Sequence, residues 1–182
     1  MSGPMDGVRV VEIGVWVAGP AAGGILADWG ADVIKIEPPS GDPARTFQRM
    51  LGGDMPNNPI FELDNRSKKS IVLDLRTQEG RDVAMELIDG ADVFLSNIRP
   101  NALERIGLDY ESLAARNRRL IYAIVTGYGL EGPDANRAAY DIAAFCRNCA
   151  NQIRVIGGID FADALGFIND PRIFGAQFRA KF

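Results

Sequence analysis

Seven basic or polar side chains stand near the ends of predicted strands, where side chains from different parts of a chain converge on a ligand. They are Arg66, Lys68, Lys69, Arg76, Asn97, Arg99 and Arg105. Cationic groups on successive loops can hold the phosphates of a nucleotide-like ligand. Arginine suits this task best, because its planar fork binds two oxygens at once. A solvated charged face has the same residue types, and spacing alone leaves both interpretations open.

The chain contains no histidine and two cysteines. Without histidine, Ser-His-Asp and Cys-His hydrolysis, histidine-ligated metals and imidazole acid–base chemistry are excluded within this sequence. Cys146 and Cys149 form a C-x-x-C pair, but a tetrahedral zinc needs four ligands. We therefore interpret the pair as incidental thiols and predict no metal. Any chemistry must use carboxylates, hydroxyls, amines or backbone donors.

The turn after the first predicted strand, "GVWVAGPAAGG" at 14–24, was tested as a dinucleotide-binding fingerprint. It does not keep the G-x-G-x-x-G order, because four residues separate Gly14 from Gly19. Gly23 and Gly24 fall inside the following helix instead, where we expect them to allow close packing of helix on sheet. An intact nicotinamide site is not predicted.

Apolar β-branched runs alternate with helical patterns along the first 130 or so residues. Strands are predicted at 8–14, 32–37, 69–75, 91–97 and 120–129, and helices at 18–31, 78–90, 101–107 and 109–117. This alternation predicts a doubly wound α/β fold, in which ligands bind outside the carboxyl ends of the strands. The loops starting near Val15, Pro38, Asn97 and Thr126 are the predicted site, and the Pro- and Gly-rich stretch 38–60 is predicted to be a long loop, either functional or disordered.

Length and charge limit the classes of protein. With 182 residues, 47% apolar and 24% charged, the chain suits one globular domain with a proper core. The net charge of −4 disfavours a broad grip on nucleic acid. No signal-peptide pattern and no long apolar run is present, so we expect a cytoplasmic protein with neither nucleic acid nor membrane as a partner.

Three blocks of sequence resemble the amino-terminal half of the family III coenzyme A (CoA) transferases, also called the CaiB/BaiF family. They are "MDGVRVVEIGVWVAGPAAGGILADWGADVIKIEPPSGDPAR", "NRSKKSIVLDLRTQEGRDVAMELIDGADVFLSNIRPNALERIGLDYESL" and "LIYAIVTGYGLEGP". The resemblance covers roughly residues 5–145. It implies a Rossmann-like, mostly parallel large domain at 1–145, followed by a divergent tail at 146–182, with the family's small domain absent.

The resemblance also implies an activity and its partners. Family members move CoA between an acyl-CoA and a carboxylic acid through an aspartyl intermediate, and their two subunits interlock as a homodimer. CoA and acyl-CoA are then substrates, and no tightly bound cofactor is expected. Related α-methylacyl-CoA racemases place a histidine base where Tyr140 stands, so the transferase is favoured over the racemase.

Site residues follow from the resemblance position by position. The implied CoA-binding residues are Val17 and Ala18 at the thiol end, Leu73 and Arg76, Asn97, Ile98 and Arg99 along the groove, Arg105 at a phosphate, and Tyr140 with its neighbour Asp141. Some family members have an arginine where Pro38 stands, and Arg45 in the same loop is a candidate replacement.

The nucleophile segment departs from the family pattern. Asp170 lies thirty positions after Tyr140, the expected separation for the nucleophile, but its context "FINDPRI" lacks the family's glycines. Asp160 and Asp163 are further candidates. The alternative to an active transferase is a non-catalytic CoA-binding or dimerising fragment. The departure of the nucleophile segment from the family pattern favours this alternative. A purely structural interpretation of Asp170 is that it belongs to an Asn-Asp-Pro turn, where Asp is common.

Overall fold

The computed structural model describes residues 3–46, 53, 58–130 and 132–137. The strands are β1 (Arg9–Ile13), β2 (Asp32–Glu37), β3 (Lys69–Val72), β4 (Val93–Ser96) and β5 (Ile121–Ile124). The helices are α1 (Ala18–Asp28), α2 (Pro59–Asn65), α3 (Gln78–Asp89), α4 (Pro100–Glu104) and α5 (Tyr110–Arg116), and a 3₁₀ turn spans Pro43–Thr46.

The described strands form one sheet in the order β3-β2-β1-β4-β5, and every neighbouring pair is parallel. In the centre, Val10 of β1 lies opposite Val33 of β2 on one side and Val93 of β4 on the other. This is the order of the first five strands in a doubly wound nucleotide-binding sheet. The strands are added on one side of β1 up to β3 and on its other side from β4 onward, so the strand order reverses between β1 and β4. The predicted fold class is confirmed.

Alternating side chains bury both faces of the sheet. One face packs against α3, α4 and α5 through Val11, Ile13, Ile36, Phe94, Ala84, Ile88, Leu103, Leu108 and Leu113. The other face packs against α1 and its flanking turns through Val10, Val33, Val93, Leu95, Ala27 and Ala31. Burial on both faces explains the nearly continuous apolar runs of the central strands.

Two elements lie in or next to the stretch predicted as a loop. The 3₁₀ turn follows β2, and α2 begins at Pro59 after the N-cap Asn58, whose side chain accepts hydrogen bonds from Ile60 N at 3.2 Å and Phe61 N at 3.4 Å. An Asn-Pro pair is a recognised start signal, since Asn caps the helix and Pro suits its first position. The signal was present, but the surrounding prolines and glycines obscured it.

Glycines let α1 approach the sheet closely. A Cβ atom on Gly23 would lie 2.0 Å from Glu12 Oε2 and 3.1 Å from Lys68 Nζ, and one on Gly24 would lie 2.9 Å from the backbone oxygen of Asp64. No side chain of any size fits at either position without displacing buried neighbours. The predicted packing of helix on sheet is confirmed for Gly23, whereas Gly24 packs against the end of α2 and not against the sheet.

The substitution Gly23→Ala tests this packing. Alanine favours a helix by about 1 kcal/mol over glycine, but the new methyl group would overlap a buried carboxylate. We expect the free energy of unfolding to fall by about 1 to 3 kcal/mol, measured by urea denaturation. The control is Gly90→Ala, where the nearest atom would be Arg9 Nη1 at 3.5 Å and little change is expected. A stabilised Gly23→Ala protein would contradict the packing.

By its internal contacts the chain divides into two units, Met1–Thr126 and Gly127–Phe182. The whole described sheet belongs to the first unit. In the second, described up to residue 137, the guanidinium of Arg137 lies 5.4 Å from the centre of the Tyr128 ring. Among the described helices none is long and apolar enough to cross a membrane. The predicted domain boundary at 145 remains a prediction.

Candidate functional site

Most of the described CoA-binding candidates lie in loops that follow strands at the carboxyl edge of the sheet. Val17 and Ala18 follow β1 and are exposed, Leu73 and Arg76 follow β3, Asn97, Ile98 and Arg99 join β4 to α4, and Arg105 ends α4. The side chains of Leu73 and Ile98 pack against the core. Tyr140, Asp141, Cys146, Cys149, Asp160, Asp163 and Asp170 lie outside the described residues.

Asn97 joins the loops that follow β1 and β4. Its Oδ1 accepts a hydrogen bond from Val15 N at 3.0 Å, and its Nδ2 donates to Val15 O at 2.8 Å. Gly14 and Gly19 leave room for this amide, because a Cβ on either would lie 3.0 Å from Asn97 Oδ1. The side chain thus bridges the point where the strand order reverses and fixes the loop that leads into α1.

A charged network lies buried beneath the loop after β1. Glu12 Oε1 accepts from Lys35 Nζ at 3.2 Å and Glu12 Oε2 from Lys68 Nζ at 2.7 Å, while Lys35 Nζ also donates to Asp42 Oδ2 at 2.7 Å. The four side chains are at most 2% exposed and their charges balance. Burial lowers the pKa of Lys68, and the carboxylate of Glu12 opposes that shift.

Sequence reasoning missed this network, although it left a signal. Glu12 and Lys35 are single charges inside apolar strands, at positions where a buried strand carries β-branched residues. The sheet register places the two residues opposite each other on β1 and β2. A lone charge in each of two neighbouring strands is best explained as a buried pair, because isolated buried charges are very costly.

Arg45 is engaged by Glu37. The guanidinium donates from Nε to Glu37 Oε2 at 2.8 Å and from Nη2 to Oε1 at 2.7 Å, and it stacks over Phe61 at 4.0 Å. The same carboxylate also accepts from Ser70 Oγ at 2.7 Å and from Asp42 N at 3.0 Å. Arg45 must therefore leave these partners to replace the ligand contact missing at Pro38.

These bonds make Glu37 sensitive to acid. Burial disfavours its charge, but the hydrogen bonds from Arg45, Ser70 and the Asp42 amide outweigh burial and lower its pKa from 4.5 to about 2. A depressed pKa stabilises the fold above the unfolded-state value, and this contribution disappears as the pH falls through the folded-state value. At pH 6, we expect Glu37→Gln to be less stable than wild type by about 2 to 3 kcal/mol.

The check on Glu37 is urea denaturation at several pH values. The stability difference between wild type and Glu37→Gln should shrink steadily from about pH 5 towards pH 2. Glu86→Gln, on the exposed side of α3, removes a charge without removing these hydrogen bonds and is the control. A difference for Glu37→Gln that does not change with pH would be inconsistent with the Arg45 pairing.

The predicted basic set divides into paired and unpaired cations. Arg66 and Lys68 precede β3 and Lys69 is its first residue, so all three lie at the amino end of the strand and their predicted place at the ligand-binding strand ends is wrong. They bind carboxylates of Asp28, Glu12 and Asp32 respectively. Arg76 follows β3, but its guanidinium donates to Asp74 at 2.9 and 2.8 Å, and these bonds lower the pKa of Asp74 to about 2.

Arg99 and Arg105 differ from the other cations of the set. Both are exposed, and among the described residues neither makes an ion pair or a side-chain hydrogen bond. They flank α4 as its N-cap and C-cap, six residues apart, which separates their Cα atoms by about 9 Å along a helix. Two free guanidinium groups at this spacing suit a ligand that carries more than one phosphate. No cluster of three or more metal-ligating side chains occurs in the described part of the chain.

Comparison with known proteins identifies the family of this chain. The family model described as CoA-transferase family III matches residues 5–152. The chain is 43% identical over 142 residues to the cinnamoyl-CoA:phenyllactate CoA-transferase of Clostridium sporogenes, covering 77% of this chain and 34% of that protein. It is 44% identical over 143 residues to the succinate–glutarate CoA-transferase of Agrobacterium fabrum, covering 76% and 36%.

A solved structure agrees. A CaiB/BaiF family protein from Brucella suis matches with a TM-score of 0.70 and 44% identity, over 78% of this chain and 38% of that one. The chain thus spans about a third of the length of the curated relatives it matches. A family model that covers most of the chain and relatives above 40% identity are decisive. The chain belongs to CoA-transferase family III.

Proposed function

We propose that the carboxyl edge of this sheet binds CoA or an acyl-CoA and that the protein transfers CoA between an acyl-CoA and a carboxylic acid. The observation that carries the proposal is the family match over 5–152, which includes every described strand-end loop. The unpaired guanidinium groups of Arg99 and Arg105 supply the positive charge that phosphates need. The related transferases named above act on CoA thioesters by their names.

Within this proposal, Arg99 and Arg105 hold phosphates of CoA. Val17 and Ala18 lie by the thiol end, and the backbone from Leu73 to Arg76 and around Asn97 lines the groove. Arg76 contributes less than the other two arginines, because Asp74 already neutralises it. Tyr140 remains a proposed CoA-binding residue.

The transfer uses a carboxylate nucleophile, with Asp170 as the proposed residue. An aspartate oxygen attacks the thioester carbon, the C–S bond breaks, and CoA leaves as a thiolate, which produces a mixed anhydride. The thiolate then attacks the aspartyl carbonyl and releases the donor acid, so that an aspartyl-CoA thioester remains. The acceptor acid reverses these steps. A carboxylate is a weak nucleophile, so fixed donors must stabilise the oxyanions.

Assembly into a homodimer belongs to the same proposal. Several large apolar side chains of the first unit are exposed, among them Trp29 at 51%, Leu63 at 64% and Ile121 at 62%. Contiguous exposed apolar surface is typical of contacts with another chain, and these residues are the proposed part of such a contact.

A trapping experiment distinguishes an active transferase from the non-catalytic CoA-binding alternative. The protein is incubated with acyl-CoA, hydroxylamine is added, and modified peptides are mapped by mass spectrometry. A hydroxamate on Asp170 supports transfer with this residue as nucleophile, and one on Asp160 or Asp163 moves the role there. A protein that binds CoA but carries no hydroxamate on any aspartate is the non-catalytic CoA-binding form instead.

A further inference from the structure

The backbone between β1 and α1 has an unusual conformation. Trp16 has a φ of +63°, in the left-handed region that bulky residues rarely occupy. Such a conformation persists only where the surroundings hold it, and it occurs preferentially at ligand sites. Val17 and Ala18, the first exposed residues of the proposed thiol end, follow directly. The orientation of the first turn of α1 therefore depends on what holds Trp16.

Two side chains from different loops hold this backbone. Asn97 binds both polar atoms of the Val15 backbone from the β4 side. From the β2 side, Asp42 Oδ1 accepts from Trp16 N at 3.1 Å and from Ala44 N at 2.9 Å. The loop that follows β1 is thus fixed from both neighbouring strands.

The carboxylate of Asp42 is itself fixed by buried charge. While Oδ1 binds the two backbone amides, Oδ2 binds Lys35 Nζ at 2.7 Å, and Lys35 continues to Glu12. Asp42 is 2% exposed, so water does not compete for either oxygen. This one carboxylate thus joins the buried ion network to the backbone of the strained turn.

We propose that Asp42 is a positioning residue for the CoA site: through Oδ1 it holds the Trp16 backbone, and through Oδ2 the buried Lys35–Glu12 pair holds Asp42. Asp42 touches no substrate in this account. Its effect reaches the ligand through the Val17 and Ala18 backbone, at the end of CoA away from the nucleotide. The inference rests on the proposed function.

Calorimetric titration of two ligands tests this role. CoA reports on the whole site, whereas adenosine 3′,5′-bisphosphate reports on the nucleotide end alone. Asp42→Ala removes both roles of the carboxylate, and Asp42→Asn keeps an oxygen for the two amides but loses the charge opposite Lys35. We expect Asp42→Ala to weaken CoA by about 10-fold or more and the bisphosphate by less than about 2-fold. Asp42→Asn should lie between wild type and Asp42→Ala for CoA, because its amide oxygen still accepts from the two backbone amides while its NH2 group faces the Lys35 ammonium; the bisphosphate should change by less than about 2-fold.

The matched control is Asp92→Ala, which removes another aspartate that binds a backbone amide, Arg9 N at 2.9 Å, at the amino edge of the sheet. It should bind both ligands like wild type. Equal loss of CoA affinity in Asp42→Ala and Asp42→Asn would overturn the inference, since the oxygen that Asp42→Asn keeps for the two backbone amides would then have no effect. Unchanged affinity in Asp42→Ala would overturn it too. Wild type that binds neither ligand would instead overturn the proposed function.

Hydrogen exchange tests the positioning role of Asp42 if the Asp42→Ala protein does not fold. The Trp16 amide should be protected from exchange in wild type and in Asp42→Asn. An Asp42→Asn protein in which the Trp16 amide exchanges freely while CoA affinity stays at the wild-type value would overturn the positioning role. Protection of that amide together with partly retained CoA affinity, despite the lost charge, would support it.

Discussion

Lys35→Met is expected to destabilise the fold by about 3 to 5 kcal/mol, the largest effect of any single substitution considered. Lys35 Nζ is the shared partner of Glu12 and Asp42, and its side chain is 1% exposed. Methionine fills a similar volume but leaves Asp42 Oδ2 and Glu12 Oε1 buried without their cation. Breaking one member of a buried pair costs far more than the pair contributes. Urea denaturation measures the loss.

The control for Lys35 is Lys69→Met. Lys69 also binds an aspartate, Asp32 at 2.5 Å, but its side chain is 70% exposed. Exposed pairs of this kind contribute at most about 1 kcal/mol, because water replaces the lost partner. Equal destabilisation by the two substitutions would show that the network around Lys35 is not buried as described.

The second large effect concerns the unpaired arginines. The double variant Arg99→Ala/Arg105→Ala should weaken CoA binding by more than about 100-fold, since each charge-assisted hydrogen bond to a phosphate is worth about 1.5 to 3 kcal/mol. Neither side chain has an ion pair among the described residues, so the fold should keep its stability. Thermal unfolding without ligand checks the fold, and calorimetry measures the affinity.

Arg116→Ala/Arg119→Ala removes the same charge from the opposite edge of the sheet. Arg116 is the last residue of α5 and pairs with Asp89. Arg119 lies between α5 and β5 and pairs with Asp92. We expect less than about a 3-fold change in CoA affinity, since exposed charges beyond a Debye length are screened. If both double variants weakened CoA equally, the arginines would act through net charge and not as a site.

Elements with strong local patterns were predictable from the sequence. Each apolar β-branched run became a strand, although β3 and β5 end earlier than predicted, at Val72 and Ile124. Beyond Val72 the apolar residues Leu73 and Leu75 still pack against the core, which extends the hydrophobic pattern past the strand. Hydrophobic periodicity records burial and does not record where ladder pairing stops.

Long-range side-chain pairing was not predictable in the same way. Lys68 looked like a ligand-binding cation, but it lies before β3 and reaches Glu12, 56 residues earlier. Only the strand order and the glycines of α1 bring these two groups together. Conversely, the strand-end rule placed Asn97 and Arg99 in the loop that follows β4, where the structure has them, because it depends on topology and not on side-chain partners. Asp170 and Tyr140 remain predictions.

The most direct test of the central claim is a calorimetric titration of the wild-type protein with CoA. The account predicts that CoA binds to a single class of site. The affinity should fall as the salt concentration rises, because arginines bind the phosphates, and adenosine 3′,5′-bisphosphate should compete with CoA. The double variant at Arg99 and Arg105 should lose this binding. A folded protein that shows no binding at about 1 mM CoA, or binding that the bisphosphate does not displace, would contradict the account.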